Sequence, residues 1–148
     1  MTDLYSPFLE ATRNVFQLMF EINDVSGHPA DSFACEEELD VSIGFIGDLK
    51  GEVIYRLPRE TSLAIVNIMS GMEFDTVDEF VTSAVSEIAN IISGNVLAML
   101  AGEALTCDIL PPVLRRPDEK EEYALHTACC VKTSIGDVCL EIRLNPVA

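Results

Sequence analysis

The stretch TVDEFVTSAVSEIANIISGNVLAMLAG, from Thr76 to Gly102, decides how the rest of the chain is read. It holds no proline, and helix-tolerant residues dominate its interior. Thr76 followed three residues later by Glu79 has the form of a capping box and predicts a helix start. At about 100° per residue, Val81, Val85, Ile88, Ile92, Val96 and Met99 fall on one side, the core-facing stripe of a long amphipathic helix. The opposite stripe is Ser83, Glu87, Asn90 and Gly94, flanked by Glu79 and Ala101.

That polar stripe is small where a solvated helix would ordinarily carry long Lys and Glu side chains. Glu87 and Asn90 stand three residues apart, so their side chains are neighbours on one turn. Solvation alone asks for a polar face, and one Glu with one Asn satisfies it without any chemistry. Two features argue for more. Asn is a poor helix former with no local reason to stand mid-helix. Ser83 and Gly94 leave the carboxylate and the carboxamide uncrowded, on a surface that another backbone could approach closely.

Upstream of this helix, Leu39, Val41, Ile43 and Phe45 alternate with Asp40, Ser42 and Gly44, the period of a half-buried strand. Gly47 to Gly51 predicts a hairpin loop, and Val53, Tyr55 and Leu57 alternate along the returning strand. Pro58 breaks the ladder and starts a helix from Arg59 to Ser70, which Gly71 ends. Further back, Ser6 as N-cap and Pro7 at the first helical position open a helix. Phe8, Ala11, Val15, Leu18, Met19 and Ile22 recur along it, and the pattern dies by Gly27. Val25 to Glu38 reads as a surface connection.

Downstream, Leu105 to Leu114 is apolar but contains Pro111 and Pro112, which predicts an edge strand or a bulge. Arg115 to Glu122 is a charged loop. Glu122 to Lys132 places Tyr123, Leu125, Thr127, Cys129 and Val131 on one strand face, Thr133 to Asp137 turns the chain, and Val138, Leu140, Ile142 and Leu144 alternate to the end. The order α-β-β-α-α-β-β-β predicts an α+β fold, a largely antiparallel sheet packed against the long central helix and its accompanying helices. A chain of 148 residues suits one domain spanning 1–148.

The formal charge of −16 argues against nucleic acid or an anionic membrane as partner, since both need clustered Lys and Arg. No basic segment followed by an apolar core marks the first twenty residues as a signal peptide, and no run approaches about 18 uninterrupted apolar residues. The five cysteines, Cys35, Cys107, Cys129, Cys130 and Cys139, form no CxxC pair and are odd in number, which predicts free thiols in a reducing cytoplasm. Cys129 and Cys130 alternate to opposite strand faces and cannot share one ion. His28, in a Gly/Pro loop, and His126, on a strand's polar face, lack partners at fixed spacing, so no metal is expected. Met69, Met72 and Met99 read as core fillers. A Ser or Cys nucleophile would need a histidine base and an oxyanion donor, and nothing places those together.

The segment SEIANIISGN, Ser86 to Asn95, closely resembles the signature of the CheC/CheX/FliY family of chemotaxis phosphatases. In that family a Ser or Asp stands four residues before a Glu and an Asn three after it, and Ser83, Glu87 and Asn90 match all three. The resemblance continues through DVSIGFIGDLKGEVIYRLPRETSLAIVNIMSGMEF, Asp40 to Phe74, and through Pro111 and Pro112, although the family's downstream proline falls one position later. Glu10 and Asn14 form a second acidic–amide pair, but four residues apart, so one intact motif and one site per chain are counted.

The resemblance implies a CheC-like fold and a phosphatase acting on the aspartyl phosphate of a CheY-type response regulator. Mg²⁺ and a Lys would belong to that partner, and the chain itself would carry no cofactor. It further implies that Asn90 positions the attacking water, that Glu87 docks on the partner's Lys, and that Ser83 and Gly94 give clearance to the partner's loops. A single motif per chain is similar to the CheX type, which forms homodimers through its sheet. A non-catalytic receiver-binding or flagellar-switch module would use the same face, and a structural dimerisation domain would leave the stripe idle.

Overall fold

The alternating apolar runs pair into one antiparallel sheet with three helices against one of its faces. The computed structural model describes residues 5–29, 38–115 and 121–147. The elements run α1 (Tyr5–Phe20), β1 (Ser26–Pro29), β2 (Glu38–Gly47), β3 (Leu49–Pro58), α2 (Arg59–Ser70), α3 (Glu79–Gly102), β4 (Cys107–Ile109), β5 (Val113–Leu114), β6 (Leu125–Thr133) and β7 (Gly136–Pro146). The strands are ordered β1-β6-β7-β3-β2-β4, with β5 also pairing β2. This is the expected α+β architecture.

Register follows the period of two in the sequence. Val41 lies opposite Tyr55, Tyr55 opposite Leu140, and Leu140 opposite Cys129, so one continuous row of buried side chains crosses four strands beneath the helices. The next rows face the other way. Gly44, Glu52, Arg143 and His126 form one of them, and it is not simply solvated. Arg143 is 1% exposed, with its guanidinium 3.1 Å from Glu52 Oε1 and 4.8 Å from the centroid of the Tyr123 ring. Arg115 reaches the same carboxylate at 2.7 Å, and Ser42 donates to it at 2.9 Å. The sheet thus buries apolar side chains on one face and a charge-paired cluster on the other.

Several expectations shift. The hairpin expected at Gly47–Gly51 does form, with β2 and β3 paired up to Phe45 and Gly51 before they part around Asp48, while β2 also pairs β4 from Phe45 to Gly47 and β3 pairs β7 from Leu49 to Arg56. Gly51 is required at the parting, because its φ is +152° and a Cβ there would sit 2.1 Å from the Arg143 carbonyl oxygen. The connection expected from Val25 to Glu38 contributes β1 at Ser26–Pro29, which pairs β6. Its Gly and Pro disguise it, and the sheet edge tolerates both. His28 therefore lies in this strand rather than in a loop, and residues 30–37, with Cys35, fall outside the described residues. The segment Leu105–Leu114 splits at Pro111-Pro112 into β4 and β5, both on β2, because neither proline can donate to the ladder.

Tyr123 precedes β6 and lies over Arg143 instead of joining the core row. On α1, Ser6 and Pro7 lie within the first turn, so neither the N-cap nor the first position is theirs. Phe16 and Phe20 are buried where Leu18 and Met19 were expected, and Leu18 is 76% exposed. Ile22 lies past the helix end, after Glu21 with φ of 57°, yet is still buried. Met69 and Met72 are exposed rather than core fillers, and Met99 is half-buried while Leu100 takes the core position. The expected ends of α2 hold: Pro58 precedes it, and Gly71 caps it in a left-handed conformation with its N–H on the Asn67 carbonyl.

The described cysteines are free thiols. Cys129 is packed in the core, where burial pushes its pKa up to about 12, while Cys130 faces Cys139 on the other side of the sheet, sulfur to sulfur at 3.9 Å.

One polar contact crosses the core. The Tyr55 hydroxyl on β3 lies 2.7 Å from Ser93 Oγ on α3, and both residues are fully buried. Burial drives the Tyr55 pKa upward, so the phenol stays neutral. Ser93→Ala strands this phenol and should cost about 1–3 kcal/mol. Tyr55→Phe should cost about 0.5–1.5 kcal/mol, because the Ser93 hydroxyl can turn to the carbonyl one helical turn back. Urea unfolding of both variants checks the order, and a Tyr55→Phe loss larger than the Ser93→Ala loss would contradict it.

Candidate functional site

The site is one face of α3, and the helix starts later than the capping box predicts. Asp78, not Thr76, is the N-cap: its backbone is extended and its Oδ1 accepts from the Val81 N–H at 3.0 Å. An Asp there satisfies an otherwise unpaired amide and places negative charge at the positive end of the helix dipole. Val81, Val85, Ile88, Ile92, Val96 and Leu100 are each at most 2% exposed, joined by Ala89 and Ser93. Burying such a side chain contributes roughly 1.5–3 kcal/mol, which easily offsets the roughly 1 kcal/mol that a mid-helix Gly costs. The helix packs against α1 and α2 and reaches the sheet over β2 and β4.

By length and composition alone, α3 could cross a bilayer, with 24 residues and a mean hydropathy of 1.5. The sequence reading set aside such a span for want of an uninterrupted apolar run. In the fold this apolarity is spent on the buried stripe that packs under the sheet and beside the other helices.

The opposite stripe lies at the surface. Ser83, Glu87 and Gly94 are exposed and Asn90 is half-buried. Among the described residues neither Glu87 nor Asn90 has a hydrogen bond or ion pair through its side chain. The contrast with nearby groups is informative. Asn95, one position past Gly94, donates to the carbonyl of Ile91 in its own helix at 3.2 Å. Glu10 on α1 is bound to Arg13 at 2.8 Å, so the second acidic–amide pair is occupied internally and its Asn14 stands without a free carboxylate beside it. Only the α3 pair presents both groups unspent.

The fold does not demand a glycine at Gly94. A Cβ at this position meets nothing within 4 Å, and its φ lies outside the left-handed region. Neither packing nor backbone geometry asks for glycine at this position. Beside Ser83 the helix start faces β5 across a depression of about 510 Å³, lined by Val77, Asp78, Glu79, Thr82, Ser83 and Leu114. The sequence did not reveal it, because Leu114 is brought to α3 only through its pairing with Val41 on β2. Among the described residues, no group of three or more His, Cys, Asp or Glu is arranged to hold a metal ion.

Fold and face together define a class: a CheC-like α+β domain that offers one acidic–amide pair from a rigidly buried helix. A family model described as chemotaxis phosphatase CheX matches residues 40–133, and the chain belongs to this family. A CheY-P phosphatase CheX from Thermotoga maritima is 36% identical over 73 residues, which is 49% of this chain and 47% of that protein, so the match spans about half of the curated relative. The fold is shared with CheX from Vibrio vulnificus, at a TM-score of 0.81 and 21% identity over 95% of this chain and 98% of that one. It is shared also with a chain of the CheX–CheY–BeF3–Mg²⁺ complex from Borrelia burgdorferi, at 0.78 and 21% over 98% and 99%. FliY from Thermotoga maritima is more distant, at 0.65 and 16% over 92% and 84%.

Gly94→Ala should stabilise the chain by about 0.5–1 kcal/mol, the ordinary gain for Gly to Ala inside a helix. Glu87→Ala should change stability by less than about 0.5 kcal/mol, and Asn90→Ala should raise it by about 0.3–0.7 kcal/mol, the gain in helix propensity from Asn to Ala. Urea unfolding measures all three. A destabilised Gly94→Ala would show that the glycine serves the fold after all.

Proposed function

We propose that this chain is one CheX-like phosphatase domain that hydrolyses the aspartyl phosphate of a CheY-type response regulator. The observation that carries the reading is the unspent Glu87–Asn90 pair, on the outer face of a helix whose inner face is fully buried. Family membership and the relative named as a CheY-P phosphatase support the reaction. The likeness to a CheX bound to CheY with beryllofluoride and Mg²⁺ supports the partner class, and in this reading the metal belongs to the receiver.

Phosphoryl transfer passes through a loose transition state, and the work left to a protein is to position the nucleophile and balance charge. In this reading the receiver supplies the phosphorylated Asp, Mg²⁺ and a Lys. Asn90 accepts a hydrogen bond from a water through Oδ1 and donates through Nδ2, which holds the water in line without acting as a base. The water oxygen bonds to phosphorus, the bond from phosphorus to the Asp oxygen breaks, and the water's proton leaves to phosphate or solvent. Glu87 pairs with the receiver's Lys and sets the helix over the phosphate. Ser83 and Gly94 keep the approach clear. The same reading makes the protein a cytoplasmic homodimer with one site per chain.

A second reading, a flagellar-switch or receiver-binding module without catalysis, draws on the likeness to FliY and, at 9% identity and a TM-score of 0.60, to a FliG–FliM complex from H. pylori. The two part at Asn90. Decay of a phosphorylated receiver should be accelerated by the wild type. Asn90→Ala should reduce turnover by about 10²-fold or more, the scale for losing a preorganised transition-state contact, with receiver binding nearly unchanged. Glu87→Ala should weaken both binding and turnover. Tight binding of the phosphorylated receiver without faster decay would replace the phosphatase by the binding module.

A further inference from the structure

The depression between the start of α3 and β5 adjoins the proposed docking face and has a composition of its own. Two of its lining residues are apolar: Val77 is half-buried, and Leu114, on β5 opposite Val41 of β2, is 50% exposed. The others are Asp78, Glu79 and the hydroxyl-bearing Thr82 and Ser83. Ser83 is shared with the polar stripe, one helical turn before Glu87, so depression and stripe form one continuous surface.

Among the described residues that line it, the charge has one sign, from Asp78 and Glu79. From Glu60 to Leu114 the chain contains no Lys, Arg or His, against eight acidic residues. The two bordering arginines are committed elsewhere. Arg115 turns to the far side of the sheet, where Glu52 holds it at 2.7 Å, and Arg59 donates to the Asp75 carbonyl before α3. An anionic rim around an exposed leucine repels acidic surfaces and suits an apolar side chain flanked by Lys or Arg. A two-fold contact between copies centred here would set Asp78 and Glu79 against their own counterparts, like charge on like.

We propose that Leu114 is the apolar anchor of receiver docking, with the depression receiving an apolar side chain of the phosphorylated receiver and Glu79 pairing with a basic neighbour of that side chain. This rests on the functional reading above and adds a partner chemistry to it: a cationic, locally apolar receiver surface. A side chain seated in the depression lies about one turn from Glu87, so docking would be held at two points, both on the N-terminal side of Asn90. Two-point docking limits rocking about the Glu87 contact, the displacement to which an in-line water is most sensitive.

The test measures Kd for a receiver carrying beryllofluoride, and KM and kcat for dephosphorylation of the phosphorylated receiver, with wild type, Leu114→Asp, Leu114→Ala and Glu79→Lys. Leu114 lies half-exposed on an edge strand, and thermal unfolding confirms that each variant is folded. Leu114→Asp should raise Kd and KM about tenfold, the loss expected of an interface anchor, with the effect in KM rather than kcat, and Leu114→Ala should fall between. Raising salt from about 50 to about 300 mM should weaken wild-type binding, and Glu79→Lys should reduce that dependence. Unchanged Kd in a folded Leu114→Asp overturns the anchor while leaving the phosphatase reading intact. Unchanged Kd together with loss of a dimer in sedimentation would assign the depression to a second copy instead. A wild type that neither binds nor dephosphorylates receivers removes the functional reading and the anchor with it.

Discussion

Everything at the candidate site depends on the burial of one stripe of α3. Six large apolar side chains along the helix are excluded from water against the sheet and the other two helices, and the Tyr55–Ser93 hydrogen bond fixes the same stripe to β3 at its middle. Ser93 is three residues beyond Asn90. The amide therefore stands on backbone that is held from beneath and has nothing of its own to hold. The burial also explains how α3 tolerates Asn90 and Gly94: local helix propensity is outweighed by packing.

The two faces of the sheet solve different problems. Toward the helices, rows such as Val41–Tyr55–Leu140–Cys129 make the apolar core. Away from them, Glu52 is held by Arg143, Arg115 and Ser42, with Tyr123 over the guanidinium. Buried ions need partners to offset lost hydration, and this cluster draws its partners from segments far apart in sequence. It ties the segments flanking residues 116–120 to the sheet. It also turns Arg115 away from the helix side of the sheet.

Exposed polar groups carry meaning here because their neighbours are accounted for. Glu10 resembles Glu87 in sequence but is neutralised by Arg13, and Asn95 resembles Asn90 but is bonded to its own helix. Side-chain bookkeeping separates the pair available to a partner from the pairs that are not.

The sequence by itself determined the elements whose signal is local. The period of α3, the alternation of β2, β3 and β7, and the Pro58–Gly71 limits of α2 depend on near neighbours in the chain, and all appear as expected. The spacing of Ser83, Glu87 and Asn90 sufficed to place them on one helical face, because a helix converts spacing directly into geometry. Tertiary structure decided what spacing cannot encode. A Gly/Pro segment became β1 because β6 offered it an edge, and Tyr123 left the core row for a cation. Leu18 and Met19 yielded the interior to Phe16 and Phe20 because only one side of α1 meets the rest of the protein. Leu114 reached the start of α3 through strand pairing across a separation of 73 residues from Val41. Contacts of that kind are settled by which surfaces exclude water together, a property of the assembled chain and not of any one stretch.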